Sequence, residues 1–567
     1  MTPAYWRSLL LMLLVAAAVL AAGMGLRDPW PADEPRFALI ARDMALSGNW
    51  LIPYIGGVPY PDKPPVFFWL IGLAYLLTGS LRVAFLLPGF LAGIGILLLV
   101  TDLARRLRDE KTALWSGATL LVLLQFPLQA KSAQIDVVLC FFTTLGLYGF
   151  VRHLLLGPDW RWYTVGGLAA GLGVITKGVG FLPYLVLVPW LFARYRKWAL
   201  PSLGGPAWRW SLAPLASLAV IAAWLVPMLL LTSGSDDPAL AAYRDNILFR
   251  QTVTRYADPW GHIKPFWYLF TNAVPWLWLP VTALLPWLVP AWWRDIRARQ
   301  APVLVLGGWA LLVLLFFSMS DGKRSVYIFP AAPAVALLAG WHADALFRRI
   351  GPRRVLAGVA AVLAILLACA GAWVLFHPGV ALDWSSDPRV TVSFAVSLLV
   401  VGVAMLAALL ATRRARLPIG YAIAMATFWL GISLAVAPSI DPVRSGSALI
   451  DRVRANVPEG VDLGFAAWPE QFLLQWDRPV THFGYRRRDT DGQIRDALSW
   501  LDGSDARRLL VQADILPGCM DSGGVVDVGA AHRREWVIVD RSALVDDCPP
   551  ALLPQPEIVY RYEPPVH

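Results

Sequence analysis

The chain has 567 residues, of which 57% are hydrophobic and only 16% charged, with a mean hydropathy of +0.56. A water-soluble chain carries roughly a quarter charged residues, so a soluble globular fold is excluded and a bilayer must solvate the apolar surface. The net charge of +10 does not indicate nucleic acid, because the basic residues fall in short loops between apolar runs, where they orient a membrane protein.

In chain order, apolar windows of about twenty residues, the length that crosses a bilayer, recur near residues 9–26, 82–104, 112–131, 135–155, 162–176, 178–195, 211–232, 269–291, 302–319, 326–346, 355–376, 391–411 and 418–436. They predict about thirteen transmembrane helices. The first follows Arg7 and ends near Ala21 and Ala22, as a signal peptide does, but its length and the spans after it favour a retained helix. Residues 66–77 are apolar, short and aromatic, and are assigned to a helix lying in the interface. The 28 tryptophans suit membrane–water interfaces.

From about residue 440 the pattern changes. Helix-like stretches at 447–457 and 491–501 alternate with short apolar strands at 461–466, 508–512, 536–539 and 558–562. The expected organisation is a transmembrane domain over 1–439, with a first outer loop at 27–81, and a small soluble α/β domain over 440–567. Cys519 and Cys548 lie in this tail, and in an oxidising compartment they could pair or stay free.

Alternating sides from a cytoplasmic N-terminus collects one set of cations inside: Arg105, Arg106, Arg108 and Lys111; Arg161; Arg194, Arg196 and Lys197; Arg294, Arg297 and Arg299; Arg348, Arg349, Arg353 and Arg354; Arg413, Arg414 and Arg416. This satisfies the positive-inside rule and puts the tail outside. An error of one span would scramble it.

The other charged clusters then fall at the outer face. They are Asp33-Glu34-Pro35-Arg36, Asp62-Lys63, Lys131 with Asp136, Lys177, the stretch holding Arg244, Arg250, Arg255, His262 and Lys264, and Asp321-Gly322-Lys323-Arg324 followed by Tyr327. Outer loops this rich in cations call for an anionic substrate. Asp136 opens an apolar helix, where a charge is costly; it either pairs with Lys131 or an outer arginine, or lines a catalytic cavity. Asp33 precedes a helix-like run and either serves only as its cap or also takes part in catalysis, since a cap would hold a carboxylate rigidly at the membrane surface. Lys63, beside two prolines, is in stiff extended backbone and either meets a ligand or snorkels. His262 is either a loop histidine or a metal ligand.

These clusters, in this order, resemble the bacterial lipid A 4-amino-4-deoxy-L-arabinose transferases, relatives of the protein O-mannosyltransferases in the GT-C class. The matching pieces are 33–38, 47–50, 62–65, 171–178, 262–268, and Phe317-Ser318 through Gly322-Lys323 to Tyr327-Ile328. Together they cover roughly residues 30 to 335. The resemblance implies a polytopic, mostly α GT-C fold in a bacterial inner membrane, an outer-face cavity and a periplasmic C-terminal domain. It also implies an undecaprenyl phosphate–sugar donor and a lipid A or other envelope acceptor. Carried over, Asp33, Arg36 and Asp136 match acidic and basic cavity residues, and Lys63 the lysine on the lipid phosphate. Arg250 or Arg255, Lys323 and Tyr327 would join it. Asp62 and His262 match positions linked to a divalent metal such as zinc, although Asp62 stands where the family usually has Glu, and Pro35 where it usually has Thr.

Two other readings remain. Within enzymes, the acceptor could be protein or another envelope component. From another class, a lipid-linked sugar transporter would show repeated halves and mid-membrane ionisable residues, whereas the polar residues here crowd one face.

Overall fold

The computed structural model describes residues 2–249, 263–377, 388–412, 416–485, 487, 489–518, 520–545 and 555–565. Among them, nine helices are long and apolar enough to cross a membrane, from Pro3–Ala21 to Leu417–Asn456. The pair Leu269–Leu277 and Thr282–Arg297 is apolar enough together to cross, as a broken span or a re-entrant loop, and is bent by 98° at its break, where Pro280 lacks the amide that would continue the helix.

The other three expected spans are helical but less regular. Residues 112–131 form Glu110–Val122 and Gln125–Ala130, and residues 178–195 begin as a 3-10 turn, Leu182–Val186, before Leu187–Tyr195. Helix Trp160–Lys177 is less apolar than the long spans, with Arg161 and Lys177 at its ends and glycines at 166, 167, 171 and 173 along it. A Cβ on Gly167 would overlap the Ala213 carbonyl oxygen, so only glycine lets these two backbones approach this closely. Outward-facing Leu10, Leu77, Leu230, Phe376 and Leu410 are exposed, as lipid-facing side chains should be. The chain is a multi-pass membrane protein.

The first outer loop builds the platform for the site. Helix α1 (Pro3–Ala21) ends below helix α2 (Glu34–Ser47), and helix α3 (Val66–Thr78) packs on α2 through Phe67 and Phe68, whose rings lie 5.4 and 5.8 Å from that of Phe37. At 13 residues, α3 is about 20 Å long, too short for a hydrocarbon core of about 30 Å. Its Leu73, Leu76 and Leu77 remain exposed, which suits the interfacial assignment. Between α2 and α3, strands β1 (Tyr54–Ile55) and β2 (Val58–Pro59) form a hairpin. Its turn, Gly56-Gly57, has φ of 57° and 83°, the left-handed pair that two-residue hairpins require.

Six further strands form one mixed sheet: β3 (Asp462–Phe465), β4 (Val480–His482), β5 (Arg507–Gln512), β6 (Val525–Ala531), β7 (Arg534–Asp540) and β8 (Tyr560–Tyr562), in the order β6-β7-β5-β3-β4-β8. Only β3–β4 and β3–β5 are parallel. Helix Thr490–Asp502 buries Ile494, Ala497, Leu498 and Leu501 in the core beside Leu509 and Phe483. The helical run Leu417–Asn456 passes through residue 440 without a linker, so the expected 439/440 division falls inside a helix. Cys519 and Cys548 lie outside the described residues.

Polar contacts sort the loops into two ends. At one, Thr2 donates to Glu110, Lys111 pairs with Asp344 at 2.7 Å, Arg108 donates to the Trp341 carbonyl, and His342 meets Asp295. These belong to the loops whose cations the sequence collects on one side. The other end gathers Arg27, Glu34, Lys131, Asp136, Lys177, Arg324 and Glu470.

Candidate active site

Asp33 occupies the N-cap position of α2 but makes no capping hydrogen bond with its side chain. Of the two readings of Asp33, this removes the side-chain cap. The carboxylate instead faces cations: Oδ1 lies 3.3 Å from the Arg36 guanidinium and Oδ2 3.4 Å from that of Arg324. Burial disfavours its charge, but Arg36, Arg324 and Lys63 together outweigh burial and hold the carboxyl below the usual carboxylate range. Asp33 is therefore a fixed anion at neutral pH.

Its neighbour Glu34 is a structural residue. Both its oxygens accept from Arg27, at 2.5 and 2.8 Å, and they also accept the amides of Trp30 and Ala133. That saturates a buried carboxylate, as burial demands, and locks α2 to the loop before Asp136.

Arg36 is buried and fully engaged. Its Nε donates to Glu470 at 2.8 Å, one terminal nitrogen donates to the Ala32 carbonyl, and the other to the Tyr60 hydroxyl. Glu470 also accepts from Tyr485, so two residues of the C-terminal sheet region hold a residue of the first outer loop. Sequence reading missed Glu470 and Tyr485, because nothing near them in the chain marks them as partners of residue 36.

Asp136 pairs with Lys177 at 2.5 Å, so its partner is neither Lys131 nor an outer arginine. Lys131 instead donates to the carbonyls of Val19 and Ala22, closing the C-terminus of α1, where orphan carbonyls need donors. The Lys177 ammonium also lies 4.9 Å from the centre of the Tyr327 ring, which packs on Phe317. Asp136, Lys177 and Tyr327 thus share one small pocket with Leu139, Val179 and Pro330.

The segment Arg324–Tyr327 joins the two carboxylates: Arg324 reaches Asp33, and Tyr327 reaches the Asp136–Lys177 pair. The sequence singled out Lys323 here, but its buried ammonium donates to the Lys264 carbonyl at 2.8 Å. Arg324 is extended, so successive side chains point to opposite sides; Lys323 turns inward to the loop and Arg324 turns to Asp33. Lys63 is half-buried, donates to the Asp62 carbonyl, and lies within electrostatic reach of Asp33.

Arg250, Arg255 and His262 lie outside the described residues. Among the described residues no three His, Cys, Asp or Glu side chains cluster as a metal site would need.

Residues 62–226 match the family described as dolichyl-phosphate-mannose-protein mannosyltransferase. The undecaprenyl phosphate-alpha-4-amino-4-deoxy-L-arabinose arabinosyl transferase of Enterobacter sp. is 31% identical over 56% of this chain and 56% of its own length. That of Pseudomonas aeruginosa is 33% identical over 57% of each chain. The chain thus spans a little over half the length of these curated relatives. Among solved structures, ArnT from Cupriavidus metallidurans bound to undecaprenyl phosphate superposes with a TM-score of 0.74 at 22% identity, covering 95% of this chain and 98% of that one. The Archaeoglobus fulgidus oligosaccharyltransferase superposes at 0.50, with 15% identity, over 89% and 69%. The chain accordingly has the GT-C glycosyltransferase fold and is similar in sequence to the undecaprenyl phosphate-alpha-4-amino-4-deoxy-L-arabinose arabinosyl transferases and, over residues 62–226, to the dolichyl-phosphate-mannose-protein mannosyltransferases.

Proposed function

We propose that the protein is a glycosyltransferase that moves a sugar, 4-amino-4-deoxy-L-arabinose on the strength of its relatives, from undecaprenyl phosphate to an acceptor such as lipid A. The observation that carries this reading is the convergence of Asp33 and Asp136 on one segment, Arg324–Tyr327, with Lys63 in electrostatic reach. The site faces the periplasm on this reading, with the N-terminus cytoplasmic and the sheet region periplasmic, because the opposite end collects the basic loops. Residues 440–567 act as a periplasmic domain docked on the first outer loop.

In the reaction an acceptor oxygen bonds to the anomeric carbon while the bond to the polyprenyl phosphate breaks, its electron pair leaving on phosphate oxygen. A single displacement of this kind inverts the anomeric carbon. Negative charge grows on the leaving phosphate, so cations fixed beforehand stabilise the transition state more than the ground state. Lys63 supplies a point charge and the Tyr327 hydroxyl a donor; an arginine of the 250–255 stretch would add a bidentate contact. Asp33, held ionised, takes the proton of a hydroxyl acceptor. With a phosphate acceptor no proton needs removal, and Asp33 stabilises positive charge on the sugar ring. Asp136 and Lys177 hold each other beside Tyr327.

Purified enzyme given a radiolabelled undecaprenyl phosphate sugar and lipid A tests this. The expected result is loss of turnover by at least a hundredfold in Lys63→Ala and in Asp33→Asn; near-normal turnover in both rejects the proposal.

A further inference from the structure

At the end of the bundle remote from Asp33, five helical segments leave a narrow apolar slot between them: Glu110–Val122, Thr282–Arg297, Ala332–Leu346, Ile350–Phe376 and Leu417–Gly431. This is the end where Lys111 meets Asp344 and Arg108 reaches Trp341. The slot measures about 60 Å3 and is walled by Trp115, Leu288, Leu346, Phe347 and Leu356. It is far smaller than the roughly 300–1,000 Å3 of small-molecule sites. Along one helix the wall runs from Ala339 to Phe347, about 12 Å. A slot that long and that narrow admits a hydrocarbon chain and excludes a sugar or a nucleotide.

Arginines stand at its mouth. Arg349 and Arg353 precede the slot-lining Leu356 by seven and three residues, which on a helix is the same face. Arg353 is tied to the rim, since its Nε donates to the carbonyl of Phe347, itself in the wall. Arg416 stands two residues before Pro418, at another point of the wall. None of these three guanidinium groups meets a carboxylate among the described residues. The carboxylate at hand, Asp344, is already shared by Lys111 and Arg348, so the mouth carries more positive charge than it neutralises. Deeper in, Tyr421 lines the slot and is only 2% exposed, and its hydroxyl makes no hydrogen bond among the described residues. Unlike the Tyr243 hydroxyl it is not sealed by protein, so it opens on the slot. It lies five residues beyond Arg416, about 7 Å further along the helix.

Uncompensated arginines at the rim, a hydroxyl donor just below them and an apolar slot beneath describe one ligand class, an anionic lipid. We propose that the slot seats one acyl chain of an anionic diacyl phospholipid from the leaflet remote from Asp33, with its phosphate against Arg349, Arg353 and Arg416 and an ester carbonyl accepting from the Tyr421 hydroxyl. The lipid then fills the gap between five segments that do not close on one another. The inference is independent of the donor, the sugar and the acceptor.

Binding tests it apart from turnover. Full-length protein in detergent is titrated with dioleoylphosphatidylglycerol, dioleoylphosphatidylcholine and the water-soluble head group glycerophosphoglycerol, and retained lipids are counted by native mass spectrometry. The variants are the triple Arg349→Ala/Arg353→Ala/Arg416→Ala, Tyr421→Phe, and Ala118→Leu and Ala422→Leu, which narrow the slot at half-buried positions of its wall. An unchanged melting temperature in lipid-free detergent shows that a variant is folded, and the two leucine variants stand in for each other. The expected result is one retained phosphatidylglycerol per protein, bound at least tenfold tighter than phosphatidylcholine, since each arginine near a lipid anion contributes about fivefold. The triple variant abolishes that preference, a leucine in the slot weakens both lipids, Tyr421→Phe weakens both slightly, and the head group alone binds far more weakly. Equal binding of the two lipids, a preference that survives the triple variant, or head-group binding as tight as that of the lipid overturns the assignment. So does arginine-dependent binding that a leucine in the slot leaves untouched, which would mean surface charge alone.

Discussion

The Arg36 guanidinium donates to the Glu470 carboxylate at 2.8 Å across 434 residues of chain. Through this contact the sheet region reaches the side chain that holds Asp33. Arg36 and Tyr485 keep the buried Glu470 carboxyl below its usual range although burial pushes it up, so the pair is charged. Removing one partner of a buried pair strands the other, at about 3–5 kcal/mol. Glu470→Ala is therefore expected to lower stability by a few kcal/mol and to lower turnover, whereas Glu470→Gln, which still accepts from Arg36, keeps most of both. Thermal unfolding and transfer assays on the two variants check this.

Asp33 gives a pH prediction. Its folded carboxyl titrates below the usual carboxylate value because three cations outweigh burial. The group stays ionised in the folded state wherever an ordinary aspartate would, so its stabilisation is present above the ordinary value and is lost as pH falls through the lower folded one. The acid limb of the activity profile should then show no titration from Asp33 between pH 5 and 7. Arg324→Ala, which removes one of those cations, should move the limb upward.

The Asp136–Lys177 pair separates stability from catalysis. Lys177→Met alone leaves a buried carboxylate unpaired and should cost about 3–5 kcal/mol. The double variant Asp136→Leu/Lys177→Met removes both charges and should recover most of that loss, because a buried pair contributes little net stability over apolar packing. Turnover should not recover with it. Thermal unfolding in detergent beside the transfer assay reads both.

Most of the membrane part was legible from hydropathy, because each span must satisfy its backbone internally and so declares itself in about twenty apolar residues. The glycine-lined helix Trp160–Lys177 was legible too, as the window 162–176, although close helix packing there sets Gly where apolar side chains would otherwise stand. The sheet was half legible. β4 has three residues, and β6 carries a bulge at Asp527/Gly529, so neither leaves a period-two pattern long enough to read. At the site, motif order brought out Asp33, Lys63, Asp136 and Tyr327, but not Arg324, Lys177 or Glu470 as partners. Pairings between distant segments are set by tertiary packing, and local sequence does not encode them.

His482 fastens the sheet to the first outer loop. Its Nε2–H donates to the Gly56 carbonyl at 2.7 Å, and the ring stacks on Tyr560 beside Trp468. Burial pushes its pKa down to about 4 from 6.5, against a small upward pull from the Gly56 carbonyl. Between those values the unfolded state binds a proton that the folded state does not, so stability is full above pH 6.5 and falls as pH drops toward 4, by about 3 kcal/mol in all. Hydrogen exchange in the 54–60 hairpin should rise over that window, and His482→Gln should flatten the response.

The most direct test is a structure of the protein with undecaprenyl phosphate bound. The account predicts the phosphate between the Lys63 ammonium and the Tyr327 hydroxyl, with Asp33 beside a non-ester oxygen, the one that carries the sugar in the donor. A phosphate seated away from both, with Lys63 turned to solvent, would contradict it.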